Sequence, residues 1–350
     1  MKLPKHTGSM QTSLVYAASL FAWWCFNPSA RAQEPDLKFL NANRPVLDAH
    51  NCYPYDGRLS DRIERALKSG FPVAIEQDLA WFVDPASGKG EVVVSHTPKA
   101  TGSEPREREY FFERVRPLIE KQLAVGDPSK WPLIVLHFDF KDQQPALLHA
   151  VWDLLGEYEV WITTAPKTAD PGLLTPFERK PILVITEDSD AQEEVFFSSL
   201  PVGSRLRLFG SAHTNMPAHR SPKELVHLEA VWSPSQLLSE KPSNYRRWWN
   251  NSWYEVEEGG QPHARVWTGA DMARLRALVD HAHRLGYWIR FYTLDGFAPR
   301  LGRLNGWLAG YNFGSLEAVQ QRWRAAIDAG VDCVATDQYE DLAALLRPDH

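Results

Sequence analysis

From about residue 45 onward the chain alternates short apolar runs with amphipathic stretches, and this alternation limits the fold more than any other feature. Strand-length runs separated by helix-length segments build a mostly parallel sheet, because each return to the same end of the sheet requires a crossover. PVLDAH reads as a strand and LSDRIERALKSG as a helix, with Ser60 as N-cap and Gly70 as terminator. Strand PVAIEQDLAWF, a return run EVVVSH, helix EREYFFERVRPLIEKQLA, strand PLIVLHFDFK and helix PALLHAVWDLLGEY follow, then EVWITT and PILVITED as strands. In the last third, helix GADMARLRALVDHAHRLG precedes strand YWIRFYTLDG, and helix SLEAVQQRWRAAIDAG precedes strand VDCVATD and a short final helix. Strand-helix units repeated over this length predict an α/β fold, a (β/α)8 TIM barrel in a single domain. Between 198 and 268, LRLFGS and HARVWT are candidate strands, whereas YRRWWNNSWYEVEEGG reads as a polar, aromatic-rich insert in the second half.

Residues 1–32 are set apart from the barrel domain, 33–350, by the layout of an export signal. Lys2 and Lys5 start it, the apolar run Ser13–Trp24 is too short for a stable membrane span, and Ala30-Arg31-Ala32 supplies a small-x-small cleavage pattern. The expectation is an exported protein, periplasmic or secreted, with no transmembrane anchor after processing; bulky Trp24 argues against a lipid anchor on Cys25. The whole chain carries a formal charge of -6, and removing a segment with bases and no acids makes the remainder more acidic. With no lysine or arginine run, nucleic acid is not expected as a partner.

VLDAHN ends an apolar run on His50 and Asn51, and polar groups at the C-terminal ends of strands are where such barrels hold reactive side chains. Glu76 and Asp78 stand two apart on a strand, so both carboxylates point to one face. Like charges this close need a cation between them, and oxygen ligands suit a hard divalent ion; a solvated strand edge carrying unrelated acids is the competing reading. In PLIVLHFDFKD, Asp139 and Lys141 repeat the spacing: Asp139 is a third candidate metal ligand, and Lys141 either meets a phosphate or balances the acids. His96, after the run VVVS, is expected at the same mouth as His50, and together they offer one base and one acid that titrate near neutral pH.

These residues taken together resemble the active-site signature of the phosphatidylinositol-specific phospholipase C and glycerophosphodiester phosphodiesterase superfamily: His50-Asn51, Glu76-x-Asp78, His96 and an acid on the third strand. GYWIRFYTLDG and AGVDCVATDQYEDL resemble that superfamily's last two strands. The resemblance implies a metal-dependent phosphodiesterase in which His50 and His96 are the acid-base pair and Glu76 and Asp78 bind a divalent cation, calcium favoured over magnesium. His-Asn resembles the phospholipase branch, with the Asn51 oxygen as a ligand, whereas the Asp139-x-Lys141 spacing resembles the glycerophosphodiesterases. The implied substrate is a small-molecule or lipid phosphodiester.

Arg290 and Tyr292 alternate along WIRFYTL and face one way, where Arg290 either grips the phosphate or makes an interior salt bridge. Asp337, at the end of VATD, is either a partner standing behind the site or a helix N-cap, with the cap preferred. Trp253 of the aromatic insert is a candidate for substrate contact, against the preferred reading of ordinary packing in a long loop, and exposed aromatics there would fit transient contact with a membrane surface. Cys52 and Cys333 lie beyond and before the strand ends, so even on neighbouring strands they stand ~20 Å apart at about 3.3 Å per residue and are predicted to be free thiols. Competing functions are a metal-dependent amidohydrolase, whose second histidine would have to stand where Cys52 does, and a non-catalytic barrel that binds an envelope ligand or glycan.

Overall fold

The computed structural model describes residues 45–54, 58–218, 220–261, 264 and 266–348. The expected export signal, residues 1–32, lies outside them. Eight parallel strands close into a barrel: β1 (Val46–Ala49), β2 (Val73–Val83), β3 (Ile134–Phe140), β4 (Ile182–Thr186), β5 (Phe209–Ser211), β6 (Arg246–Ser252), β7 (Trp288–Tyr292) and β8 (Cys333–Thr336). Each pairs with the next in chain order, and β8 pairs with β1 to close the ring. Branched side chains from β1, β2, β3, β4 and β8 fill the wall between barrel and helices, including Leu47, Ile75, Leu136, Val184 and Val334, all fully buried. The TIM-barrel expectation is what the strand pairing shows.

The helices end where local chemistry ends them. In α4 (Gly269–Leu285), Thr268 and Asp271 form a reciprocal capping box, and Gly286 at φ 101° closes the last turn in a conformation that a side chain disfavours. Before it in the chain run α1 (Arg62–Lys68), α2 (Glu113–Val125) and α3 (Pro145–Glu157); after it come α5 (Leu316–Ala329) and α6 (Tyr339–Leu346). The residue flanking α1 is Asp61 rather than Ser60, and its side chain makes no capping bond.

Three parts differ from the sequence expectation. EVWITT is not a barrel strand: Glu159–Trp161 is a 3-10 turn, and Ile162 and Thr163 lie against Ile182 at the start of β4. The expected insert contains β6 itself, Arg246–Ser252, followed by the 3-10 turn Trp253–Glu255. HARVWT supplies no strand among its described residues. The free-thiol expectation matches the structure: Ala49 is level with Thr336, so Cys52 and Cys333 sit on opposite sides of that level, both buried and unpaired.

β2 outruns the barrel wall, and the strand Gly90–Val94 turns back antiparallel along that extension, pairing Leu79 with Val94 and Val83 with Gly90. This hairpin carries Ser95, whose amide donates to the Asp78 carbonyl at 2.8 Å, and so delivers His96 to the rim where β1, β2 and β3 end.

Candidate active site

β1 delivers His50 and then stops. Asn51 takes φ 51°, a left-handed conformation that asparagine tolerates better than most residues, and this turns the chain away from the barrel axis. The turn is held from two sides: the Tyr339 hydroxyl donates to the His50 carbonyl at 2.7 Å, and the buried Arg62 guanidinium donates to the Asn51 carbonyl. His50 Nδ1 lies 2.9 Å from Asp337 Oδ1, and the Asn51 amide donates to the same oxygen at 2.8 Å. Asp337 therefore orients a histidine; it is not a helix cap, since Gln338 intervenes before α6.

Register explains the next group. Glu76 is level with His137 and Asp78 with Asp139 on neighbouring strands. Glu76 Oε2 accepts from Arg290 and lies 3.4 Å from His137 Nδ1, while Oε1 stands 3.7 Å from His50 Nε2. His96 Nδ1 lies 2.7 Å from Asp78 Oδ2 and 2.9 Å from the Tyr53 hydroxyl. Lys141 Nζ sits between Asp78 and Asp139, at 3.0 and 2.5 Å. Each of the two histidines is thus fixed through Nδ1 by a carboxylate.

One carboxylate oxygen each from Glu76, Asp78 and Asp139 lies within 4.8 Å of the others. Asp78 Oδ1 is buried with no hydrogen-bond partner, which three hard oxygen donors and a divalent cation would relieve. The residues present therefore fit such an ion. Asn51 lines the same cavity; its Oδ1 accepts the Tyr53 hydroxyl at 2.5 Å and its amide donates to Asp337, so the side chain is held within the histidine network.

Arg290, expected to face a phosphate or an interior acid, does the latter. It is buried and donates to Asp48, Glu76 and, at 2.9 Å, Asn250 Oδ1. Tyr292 reaches the cavity beside His50, with ring centroids 6.4 Å apart. Trp253 does not. It is fully buried, donates its indole N–H to Glu257 at 2.7 Å and packs on Phe291 and Trp267, so it belongs to the core.

A cavity of about 260 Å³ joins His50, Asn51, Glu76, His96, Asp139 and Lys141. Glu187, Asn250, Arg290, Tyr292 and Tyr311 complete its lining. Glu187 and Asn250 were not among the sequence candidates. The Asn250 amide donates to both Glu187 oxygens at 3.0 and 2.9 Å, and His137 Nε2 lies 2.8 Å from Glu187 Oε1. PILVITED does end an apolar run on acids, a signal comparable to that of His50; Asn250 had none, being hidden in the segment read as an insert.

Burial and charge set the protonation of this floor. Burial pulls the His50 imidazole down, but Glu76 and then Asp337 outweigh it and raise its pKa to about 9. For His137, burial and Arg290 pull down while the hydrogen bond to Glu187 and the nearby Glu76 carboxylate prevail, giving about 10. Burial pushes Glu76 up, yet His50 and Arg290 hold it well below the usual carboxylate range. Asp139 is raised to about 6, first by burial and then by the Asp78 charge. A cation binding there must displace that proton, so its affinity is expected to weaken by up to about tenfold per pH unit below 6. Equilibrium dialysis of calcium between pH 5 and 7 measures this, and a flat affinity would remove Asp139 from the ligand set.

No family model matches the sequence, and no curated protein matches it. Among solved structures, the chain is similar to a Plasmodium falciparum HPPK-DHPS triple mutant with pteroate, at 9% identity over 87% of this chain and 48% of that one, with a TM-score of 0.39. A second HPPK-DHPS triple mutant, with SDX-DHP, gives 9% identity, 87% and 47% coverage and a TM-score of 0.35. A GH5-4 broad specificity endoglucanase from an uncultured bovine rumen ciliate gives 10% identity, 77% and 64% coverage and a TM-score of 0.26. The chain spans about half the length of the HPPK-DHPS chains. Its barrel rests on the strand pairing described above, not on these likenesses.

Proposed function

We propose that this protein is a phosphoric diester hydrolase. The observation that carries the proposal is the pairing of two carboxylate-anchored histidines, His50 on Asp337 and His96 on Asp78, across a trio of acids that fits one divalent cation. Glu76, Asp78 and Asp139 would hold the ion, which when bound supplies positive charge to neutralise the phosphoryl oxygens. Glu76 and Asp337 favour the imidazolium of His50, the form that gives a proton to a leaving alcohol. His96, on the solvent side of the cavity with a side chain 44% exposed, takes the proton from the attacking hydroxyl, whether of water or of the substrate. Lys141 balances Asp78 and Asp139 and stands at the cavity wall as a point charge for a phosphate. Arg290 works from behind, keeping Glu76 ionised and aligned.

A panel of phosphodiesters assayed with calcium, with magnesium and with chelator tests the reading, with phosphorus NMR to distinguish cyclic from open products. Cleavage that needs a divalent ion is expected. Absence of turnover on every diester with either ion would overturn it.

A further inference from the structure

We infer that the segment following β7 is a docking surface for an anionic lipid bilayer. That placement stands on the segment's own chemistry; its catalytic consequence, that the substrate is a phosphodiester held in such a surface, rests on the proposed function.

From Gly296 to Leu316 the chain contains no acid, although the protein as a whole carries a formal charge of -6. Within this stretch a short helix, Pro299–Asn305, presents Leu301 and Leu304, 47% and 62% exposed. Three residues apart on a helix, they share a face. The other large hydrophobics exposed among the described residues stand singly along the chain, as surface apolar residues ordinarily do. Arg300 and Arg303 are also exposed, and neither is held by a carboxylate among the described residues. Paired leucines beside unpaired guanidinium groups suit the boundary of a membrane, where apolar side chains enter the acyl region and the cations meet anionic headgroups.

The inner side of the same segment is fixed to the active site. Gly302 lies so close to the Phe297 ring that a Cβ would come within 2.3 Å of it, and Phe297 in turn packs on Trp307 at 5.2 Å. Arg62, which holds the Asn51 carbonyl, also donates to the carbonyls of Asn305 and Gly306 at 3.0 and 3.2 Å. Tyr311 lines the cavity and places its ring 5.4 Å from that of His50. One face of the segment thus builds the site while the other is left apolar and basic at its rim. A polar cavity of about 260 Å³ takes a headgroup but has no room for acyl chains, so a lipid substrate would have to be met at the bilayer.

Co-sedimentation of the protein with vesicles of phosphatidylcholine alone, and of phosphatidylcholine mixed with phosphatidylglycerol, reads docking without turnover. Wild type is expected to partition onto the mixed vesicles and much less onto phosphatidylcholine. Replacing both arginines, Arg300→Gln with Arg303→Gln, should weaken partitioning onto the mixed vesicles by roughly 30-fold. Leu301→Asp with Leu304→Asp should lower it at least about tenfold on either vesicle. All four side chains are exposed, and an unchanged thermal midpoint verifies folding; the two pairs are independent variants should one misfold. Failure of the wild type to bind mixed vesicles, or binding that neither pair alters, overturns the inference. If a soluble diester is cleaved yet no vesicle is bound, docking fails and the proposed function stands; if vesicles are bound and no diester is cleaved, the reverse holds.

Discussion

His50→Ala is expected to lower phosphodiester turnover by at least about 100-fold, and His96→Ala by a similar factor, as loss of a general acid or base does. His50 can be removed without dismantling its surroundings, because the contacts that shape the turn are made by backbone: Tyr339 binds the His50 carbonyl and Arg62 the Asn51 carbonyl. The loss should appear in kcat with a smaller change in KM, since the imidazole serves the transition state more than ground-state binding. If the two histidines act in one proton-transfer sequence, the double variant should be little worse than either single one. Asp337→Asn offers a control. It removes a charge that raises the His50 pKa, so the limb of the pH profile that reports the protonated imidazole should move to lower pH. Near wild-type kcat in both histidine variants would end the assignment, and a catalytic defect confined to His96 would leave His50 as a structural partner of Asp337.

Much of this site could be read in the sequence because barrel geometry turns a one-dimensional pattern into a place. His50, Glu76, Asp78, Asp139 and Lys141 each stand at the end of an apolar run, and parallel strands of matched register bring such ends to one rim. His96 needed the additional fact that a hairpin turns back on β2, which the run EVVVSH suggested. The failures have physical causes as well. Arg246–Ser252 is a barrel strand, but Arg246, Arg247, Asn250 and Asn251 break the apolar signature; they are tolerated because Arg246 meets Asp188 and Glu193, Arg247 donates to carbonyls, and Asn250 meets Glu187. EVWITT shows the converse error: Ile162 and Thr163 are buried against the start of β4 without forming a wall strand. Asp337 could not be separated from a helix cap without knowing that β8 pairs with β1 and is level with it. Trp253 is exposed or buried according to what lies beneath it, and here Phe291 and Glu257 claim it.

Arg322→Met should be the most destabilising polar substitution described here. Arg322, on α5, donates to Glu257 through Nε at 2.9 Å and Nη2 at 2.7 Å, and the two side chains are 3% and 7% exposed. Glu257 also accepts the Trp253 indole N–H at 2.7 Å, so one carboxylate ties α5 to the segment after β6. Removing one member of a buried ion pair strands the other charge, at a typical cost of about 3–5 kcal/mol. Glu257 borders a cleft of about 650 Å³, which lets water reach a stranded carboxylate and places the expected loss near 3 kcal/mol. The double variant Arg322→Met with Glu257→Met removes both charges and should recover part of that loss. It should still leave about 1–3 kcal/mol, because the buried indole N–H of Trp253 is then without its acceptor. Urea titration of the wild type and both variants separates these contributions. A single variant within about 1 kcal/mol of wild type would show that the pair gains no more than an exposed ion pair does, and a double variant less stable than the single one would mean that Glu257 holds α5 in place without needing Arg322.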